Sequence, residues 1–102
     1  MARSSIRHHP SAADELQEAA DWYDQRNSQA GGRFVAEVKA KLLEITSTPH
    51  RWPREKDGTR QALLRPFKYK IVFRENKGVI EIIAYAHTSR RPGYWRKRLR
   101  DS

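Results

Sequence analysis

The spacing of apolar residues in the first half of the chain predicts two amphipathic helices. Across residues 13–23, apolar side chains recur every three to four positions, which places them on one face of a helix. We expect this first helix to begin with Ser11 as its N-cap and to end near Arg26. The preceding residues 3–9 form a short segment that stops at Pro10, and they predict an edge strand.

The second helical stripe covers residues 34–45. This helix has to end before Pro49, because the residue that precedes a proline avoids helical dihedrals. Residues 27–32 contain Asn, Ser and two glycines, and they predict the turn of an antiparallel helical hairpin. Residues 46–58 show no period and predict a loop, in which we expect Trp52 to cover the core.

In the second half of the chain the apolar period shortens to two. Residues 59–65 predict a strand, and residues 69–74 alternate apolar with largely basic side chains, as a strand with one buried face does. Residues 75–78 supply the turn of a short hairpin. Residues 79–86 are apolar at almost every position, which predicts a central strand that is covered more fully than its neighbours.

The order of these elements predicts an α+β fold. An N-terminal strand, an antiparallel helical hairpin and a three-stranded antiparallel meander follow one another with short connections. One sheet with the hairpin packed on one face is therefore the economical arrangement. A short basic C-terminal tail follows at residues 90–102, with a short helix beginning near Gly93. Because the chain has 102 residues, we expect a single domain over residues 1–102.

Charge divides the chain into two unlike halves. Residues 1–51 carry equal numbers of acidic and basic side chains, whereas residues 52–102 hold the whole formal net charge of +9. A generally soluble basic surface would scatter its charges, so this polarity points to an anionic partner. We expect the sheet face away from the helices to display Lys68, Lys70 and Arg74.

Composition excludes several classes of protein. The chain has no cysteine, which rules out disulfide frameworks, thiolate zinc sites and cysteine nucleophiles. No apolar run approaches the roughly 18 residues of a membrane span, and no apolar stretch follows Arg3 as in a secretory signal. We therefore expect a soluble, cytoplasmic protein. His8 and His9 should point to opposite faces of a strand and His50 stands alone, so we expect no metal site and no cofactor.

The end of the last strand brings His87 next to a basic, aromatic segment. This segment contains Arg90, Arg91, Tyr94 and Trp95, and basic side chains interleaved with aromatic rings suit phosphate neutralisation and base stacking. A structural interpretation is also open. A histidine that ends a buried strand is often a hydrogen-bonded core residue, and an aromatic pair in a tail usually packs that tail onto its domain.

Two segments carry a resemblance to a known family. They are RPFKYKIVFR, residues 65–74, and IIAYAHTSRRPGYW, residues 82–95. Together with the order of the predicted elements, they resemble the RelE/ParE toxin superfamily of bacterial type II toxin–antitoxin modules, of the plasmid stabilisation type and closer to ParE than to RelE. The resemblance implies a small basic toxin that a cognate antitoxin protein holds inactive.

Members of this superfamily differ in their target. RelE-like members are ribosome-dependent mRNA endonucleases, and ParE-like members inhibit DNA gyrase. Tyr94 falls where RelE-like nucleases carry a tyrosine, and Lys70 falls where they carry an arginine. The lysine pair of those nucleases meets Gln61 and Leu63 here, and neither side chain can supply the cation that RNA cleavage needs. His87 remains a candidate acid or base, so His87, Tyr94 and Lys70 are the catalytic residues if the protein is a nuclease.

Three hypotheses follow for the function. We favour a ParE-like toxin that is directed at DNA gyrase and has no catalysis of its own. The alternative is a RelE-like, ribosome-dependent mRNA endonuclease. A non-toxic basic module that binds nucleic acid is the third. For the gyrase-directed toxin we expect the helical hairpin and the basic tail to form the docking surface. The residues expected to bind the target or nucleic acid are Arg65, Lys68, Arg74, Arg90, Arg91, Trp95, Arg96 and Arg98. The antitoxin should supply an acidic or amphipathic segment that folds as it binds.

Overall fold

A computed structural model describes residues 5–101 and shows the expected α+β fold. The predicted first strand begins at residue 3, and that start lies outside the described residues. In chain order the elements are β1 (Ser5–His8), α1 (Pro10–Arg26), α2 (Ser28–Ser47), a 3₁₀ turn (Pro49–Arg51), β2 (Arg60–Leu63), β3 (Tyr69–Asn76), β4 (Val79–His87) and a second 3₁₀ helix (Arg96–Arg100).

The four strands form one sheet in the order β1, β4, β3, β2. β1 runs parallel to β4, with Ile6 opposite Ile80, and β2, β3 and β4 form the predicted antiparallel meander. Lys77 and Gly78 connect β3 to β4 with φ values of 53° and 79°, the positive values that a tight two-residue hairpin loop requires. The sheet thus places β4, the most apolar strand, between β1 and β3.

The ends of the two helices differ from the sequence expectation. Ser11 is not the N-cap of α1: the His9 side chain takes that place, and its Nδ1 accepts a hydrogen bond from the Ser11 backbone N at 3.1 Å. Pro10 then occupies the first helical position, where its missing N–H costs nothing. The predicted six-residue turn shrinks to Asn27, whose side chain caps α2 by accepting from the Gln29 backbone N at 2.9 Å.

Gly31 lies inside α2 rather than in a loop. A Cβ on this residue would lie 2.8 Å from the Asp24 Cβ of α1, which is closer than such atoms can approach. Gly31 therefore lets the two helices pack closely directly after their one-residue connection. The sequence pattern predicted Gly31 as part of a turn, but in the structure it allows close contact between the two helices.

The main core lies between the helical hairpin and the sheet. The Phe34 and Ile45 side chains of α2 are fully buried against Ile71 and Phe73 of β3. Trp52 packs edge-on against Phe73, with ring centroids 5.8 Å apart, which confirms that the loop tryptophan covers the core. The remaining buried members are Ala12, Ala19, Val38, Ala62, Leu64, Ile80, Ile82 and Tyr85.

The opposite sheet face is covered as well, and this corrects the expectation of an exposed basic face. The register between β3 and β4 shifts at Val72 and Phe73, which pair with Ala84 and Ile82, so Ile83 is an extra residue in β4. A second buried cluster lies on this face: Val72, Ile83, Ala84, Ala86 and Trp95. This apolar sheet face is buried because Trp95 and its neighbours after β4 fold back over it.

Candidate functional site

The residues that follow β4 form the C-terminal segment, which we define as residues 93–101. The predicted short helix is a 3₁₀ helix and begins at Arg96, three residues later than expected. Trp95 is 2% exposed, and Tyr94 and Leu99 pack beside it. Of the two interpretations left open for the aromatic pair, the structure shows that both rings pack this segment onto the domain.

Glu15 of α1 holds the C-terminal segment through charge-assisted hydrogen bonds. The Arg98 guanidinium donates from Nη1 to Oε1 at 2.8 Å and from Nη2 to Oε2 at 2.9 Å, the two-bond geometry typical of an arginine and a carboxylate. The Tyr94 hydroxyl donates to Oε2 at 2.8 Å, and the Tyr85 backbone N donates to Oε1 at 3.1 Å. One carboxylate therefore joins α1, β4 and the C-terminal segment.

These contacts raise the pKa values of Tyr94 and Arg98. Burial and the hydrogen bond to Glu15 raise the pKa of Tyr94, because an apolar environment and a nearby carboxylate both disfavour a phenolate. The hydrogen bonds to Glu15 also raise the pKa of Arg98. Tyr94 is thus held as a neutral donor to Glu15, which makes it a poor general base.

Asp57 anchors the same segment from the loop before β2. The Trp95 Nε1 donates to its Oδ2 at 3.3 Å, and the Arg96 Nε lies 3.5 Å from that oxygen. Burial raises the pKa of Asp57, but hydrogen bonds from the Thr59 hydroxyl and backbone N and from Trp95 outweigh it, so that the pKa is lowered. Asp57 therefore remains an anion at neutral pH.

Arg74 is paired within the sheet. Its Nε donates to Glu81 Oε1 at 2.7 Å, and Arg7 of β1 donates to the other oxygen of Glu81. Burial raises the pKa of Glu81, but hydrogen bonds from Arg7 and Arg74 outweigh this effect and lower the pKa overall. Arg74 thus neutralises a carboxylate that is only 6% exposed, instead of being displayed to solvent.

His87 and Tyr94 line one open cavity of about 320 Å³ at the end of β4, together with Glu15 and Arg90. The His87 ring is half-buried, with its edge towards Tyr69 at a centroid distance of 5.1 Å. Its Nδ1 accepts from the Ser89 backbone N at 3.0 Å. When the ring is neutral, this bond leaves its proton on Nε2.

Lys70 lies on the other face of the sheet. Tyr69 is the residue opposite His87, and the next side chain along a strand points the opposite way. The Lys70 Nζ accordingly lies 5.5 Å from the Trp95 ring centroid. The structure therefore brings His87 and Tyr94 together and separates Lys70 from His87 by the thickness of the sheet.

The predicted binding residues divide into two groups. Arg74, Trp95 and Arg98 make the internal contacts described above. The others have exposed side chains: Arg65, Lys68, Arg90, Arg91 and Arg96. Lys97 and Arg100 of the C-terminal segment are exposed too, and the sequence analysis did not single them out. The Arg90 guanidinium lies 4.0 Å from the Tyr94 ring centroid, a cation–π contact that holds it beside the segment.

Sequence reasoning missed Glu15 and Asp57 as the anchors of this region. Glu15 lies in an acidic first part of α1, where carboxylates are common because they favour the positive end of the helix dipole. Its partners are far along the chain, with Arg98 83 positions away. Nothing in the local pattern distinguishes it from its acidic neighbours Asp14 and Glu18.

Residues 5–101 contain neither a membrane-spanning helix nor a cluster of metal ligands. No helix in this range is long and apolar enough to cross a membrane. Within the same range, no group of three or more histidine, aspartate or glutamate side chains has the arrangement needed to hold a metal ion.

Comparisons with known proteins agree with this fold. A solved structure of the chromosomal ParDE TA system from P. aeruginosa contains a similar chain, with a TM-score of 0.72 and 18% sequence identity. The match covers 83% of this chain and 96% of that one. No curated protein sequence matches. The family model for the ParE toxin of the type II toxin–antitoxin system parDE matches residues 6–92, and the chain therefore belongs to the ParE toxin family.

Proposed function

We propose that this protein is a toxin that inhibits bacterial DNA gyrase in the cytoplasm without catalysis of its own, and that a cognate antitoxin neutralises it. The observation that carries the proposal is the hydrogen bond from the Tyr94 hydroxyl to Glu15. RNA cleavage needs a group that takes a proton and a cation next to it. Tyr94 is instead a bound donor, and Lys70 faces away from His87.

The exposed cations supply the means of docking. Arg90, Arg91, Arg96, Lys97 and Arg100 lie on or next to the C-terminal segment and are exposed. Their summed field attracts anionic surfaces over distances of about a Debye length, roughly 8 Å at physiological salt. The DNA that gyrase holds presents such a surface, and binding there needs no reacting group on the toxin.

The same cations bear on the antitoxin. An acidic or amphipathic antitoxin segment would lower the repulsion among the arginines of the toxin while it covers the surface that docks to gyrase. Purified toxin and antitoxin should therefore bind each other more weakly as salt is raised. An affinity that stays constant from low to high salt contradicts this part of the proposal.

The proposal is tested by pulse-labelling bacterial cells just after the toxin is induced alone. Incorporation of thymidine and of amino acids is followed side by side. Inhibition of gyrase predicts that DNA synthesis fails first, and purified toxin should then block supercoiling by purified gyrase. Failure of protein synthesis first, with DNA synthesis intact, contradicts the proposal.

An mRNA endonuclease remains the second candidate because His87 and Tyr94 line the same cavity as Arg90. This function predicts fragmented messages after induction, with cuts that depend on the ribosome. A His87→Gln variant should then lose toxicity while the fold is retained. Intact transcripts in growth-arrested cells exclude this candidate.

A further inference from the structure

We infer that Glu15 of α1 is a positioning residue that holds the C-terminal segment in the geometry with which it meets its target. This inference rests on the proposed function, since it assigns the docking surface to that segment. Glu15 lies outside the exposed surface that would touch gyrase. It acts through Tyr94 and Arg98, the two side chains whose polar ends it binds.

The Glu15 carboxylate accepts a large number of hydrogen bonds. Glu15 accepts from Arg98 twice, from the Tyr94 hydroxyl and from the Tyr85 backbone N. The Arg98 Nη1 that donates to Glu15 also donates to the Ile83 carbonyl oxygen at 3.0 Å. The middle of the C-terminal 3₁₀ helix is thereby tied to both α1 and β4.

The C-terminal segment has little regular structure of its own. Its 3₁₀ helix has five residues, and 3₁₀ helices of this length are uncommon because their hydrogen-bond geometry is poor. Besides Glu15, its polar anchors include Asp57, which accepts from Trp95 and lies near Arg96, and His9, which contacts Asp101. The Asp101 side chain is 63% exposed, so solvent weakens that last pair. Glu15 is the half-buried anchor in the middle of the segment.

The charges of Arg98 and Glu15 are both largely buried. The Arg98 side chain is 18% exposed and that of Glu15 is 15% exposed. Removing one partner of such a pair leaves the other charge poorly solvated. The favourable response is for Arg98 to turn out into water, and this would carry the neighbouring Lys97 and Arg100 with it. Loss of the Glu15 charge would therefore change where the exposed cations lie without removing any of them.

The experiment compares Glu15→Gln with Asp14→Asn in the full-length toxin. Asp14 is the exposed neighbour on α1, and its variant removes the same charge from the same helical turn. We expect Glu15→Gln to speed amide hydrogen exchange in residues 94–101 by about tenfold, as expected when a charged hydrogen bond is lost. Exchange in β3 should stay unchanged, which shows that the variant is folded. In β4 the Tyr85 amide, which donates to Glu15, should exchange faster as well. Asp14→Asn should leave the segment as in wild type.

Gyrase inhibition gives the second readout. Glu15→Gln should need at least fivefold more toxin for half inhibition of supercoiling, and Asp14→Asn should match wild type. A double variant with Arg98→Met should be no weaker than the weaker single variant, because Arg98 and Glu15 act as one unit. Additive losses would mean that Arg98 touches the target itself, and this would overturn the inference.

The outcomes separate the inference from the proposed function. Unchanged exchange in residues 94–101 overturns the inference whatever the toxin inhibits. Faster exchange with unchanged inhibition also overturns it, because the segment would then be held without consequence. If wild-type toxin does not inhibit gyrase, the proposed function fails, and the exchange experiment alone decides whether Glu15 holds the segment.

Discussion

At the residue scale, the hydroxyl of Tyr94 distinguishes a catalytic from a structural role. Tyr94→Phe removes one donor from Glu15 but leaves both bonds from Arg98. We expect the variant to lose about 1–2 kcal/mol of stability and to arrest growth nearly as wild type does. Growth curves after induction and urea unfolding measure the two effects. Loss of growth arrest in a folded variant would favour the nuclease instead.

Glu81 should make stability depend on pH in the acid range. Because its pKa in the fold lies below the usual 4.5, its ion pairs with Arg7 and Arg74 stabilise the protein fully above that pH. This contribution is lost as the pH falls below 4.5 and towards the lowered pKa. Glu81→Gln should be less stable than wild type by about 1–3 kcal/mol at pH 7. Urea unfolding at pH 7 and pH 3 measures it, and a difference that does not shrink at pH 3 contradicts the assignment.

At the element scale, the helical hairpin and the meander could be predicted from hydrophobic period, because each helix buries one apolar stripe and the strands contain alternating or nearly continuous apolar runs. The ends of the helices could not. Sequence chemistry at residues 27–32 suits a loop and a helix start equally well, and only the approach of Asp24 shows why Gly31 is a glycine. The cover on the second sheet face was missed for another reason: Trp95 and Val72 meet through long-range packing, which has no local pattern.

The glycine pair of α2 tests this account of the hairpin. Gly31→Ala gains about 1 kcal/mol in helix propensity, but its Cβ would lie 2.8 Å from the Asp24 Cβ. Forcing the helices apart costs about 1–3 kcal/mol, so we expect net destabilisation. Gly32→Ala is the matched control, since no atom lies within 4 Å of its Cβ; it should stabilise by up to about 1 kcal/mol. Thermal unfolding compares the two, and equal stabilisation would contradict the close contact.

At the scale of the whole molecule, the excess of basic residues in the second half of the chain does produce a basic surface. That surface lies elsewhere than the sequence predicted. The sequence places the cations on a sheet face, whereas the structure exposes them on the residues that cover that face. The candidate site was predictable as a set of basic and aromatic side chains near His87. Its anchors were not, because Glu15 and Arg98 meet across 83 positions of chain.

Charge reversal should locate the docking surface. The double variant Arg91→Glu with Lys97→Glu changes two exposed cations and leaves the pairs of Glu15 and Asp57 intact. We expect at least tenfold weaker inhibition of gyrase at low salt and a smaller difference at high salt, because salt screens exposed charges. Lys39→Glu, on the exposed side of α2, is the control and should inhibit as wild type does. Equal losses in both variants would indicate a general charge effect.

His9 contributes a feature that reaches beyond the site. Its Nδ1 caps α1, and its Nε2 lies 2.6 Å from the Asp101 carboxylate, so Asp101 and Ser5, the two ends of the described chain, are separated by about the length of β1. A linker that spans the four residues of β1, about 13 Å, could join them. New termini opened between Lys77 and Gly78 would then keep the native contacts. The pairing of β3 with β4, now the most local in the chain, would become the most distant, so this circular permutant should reach a similar fold more slowly.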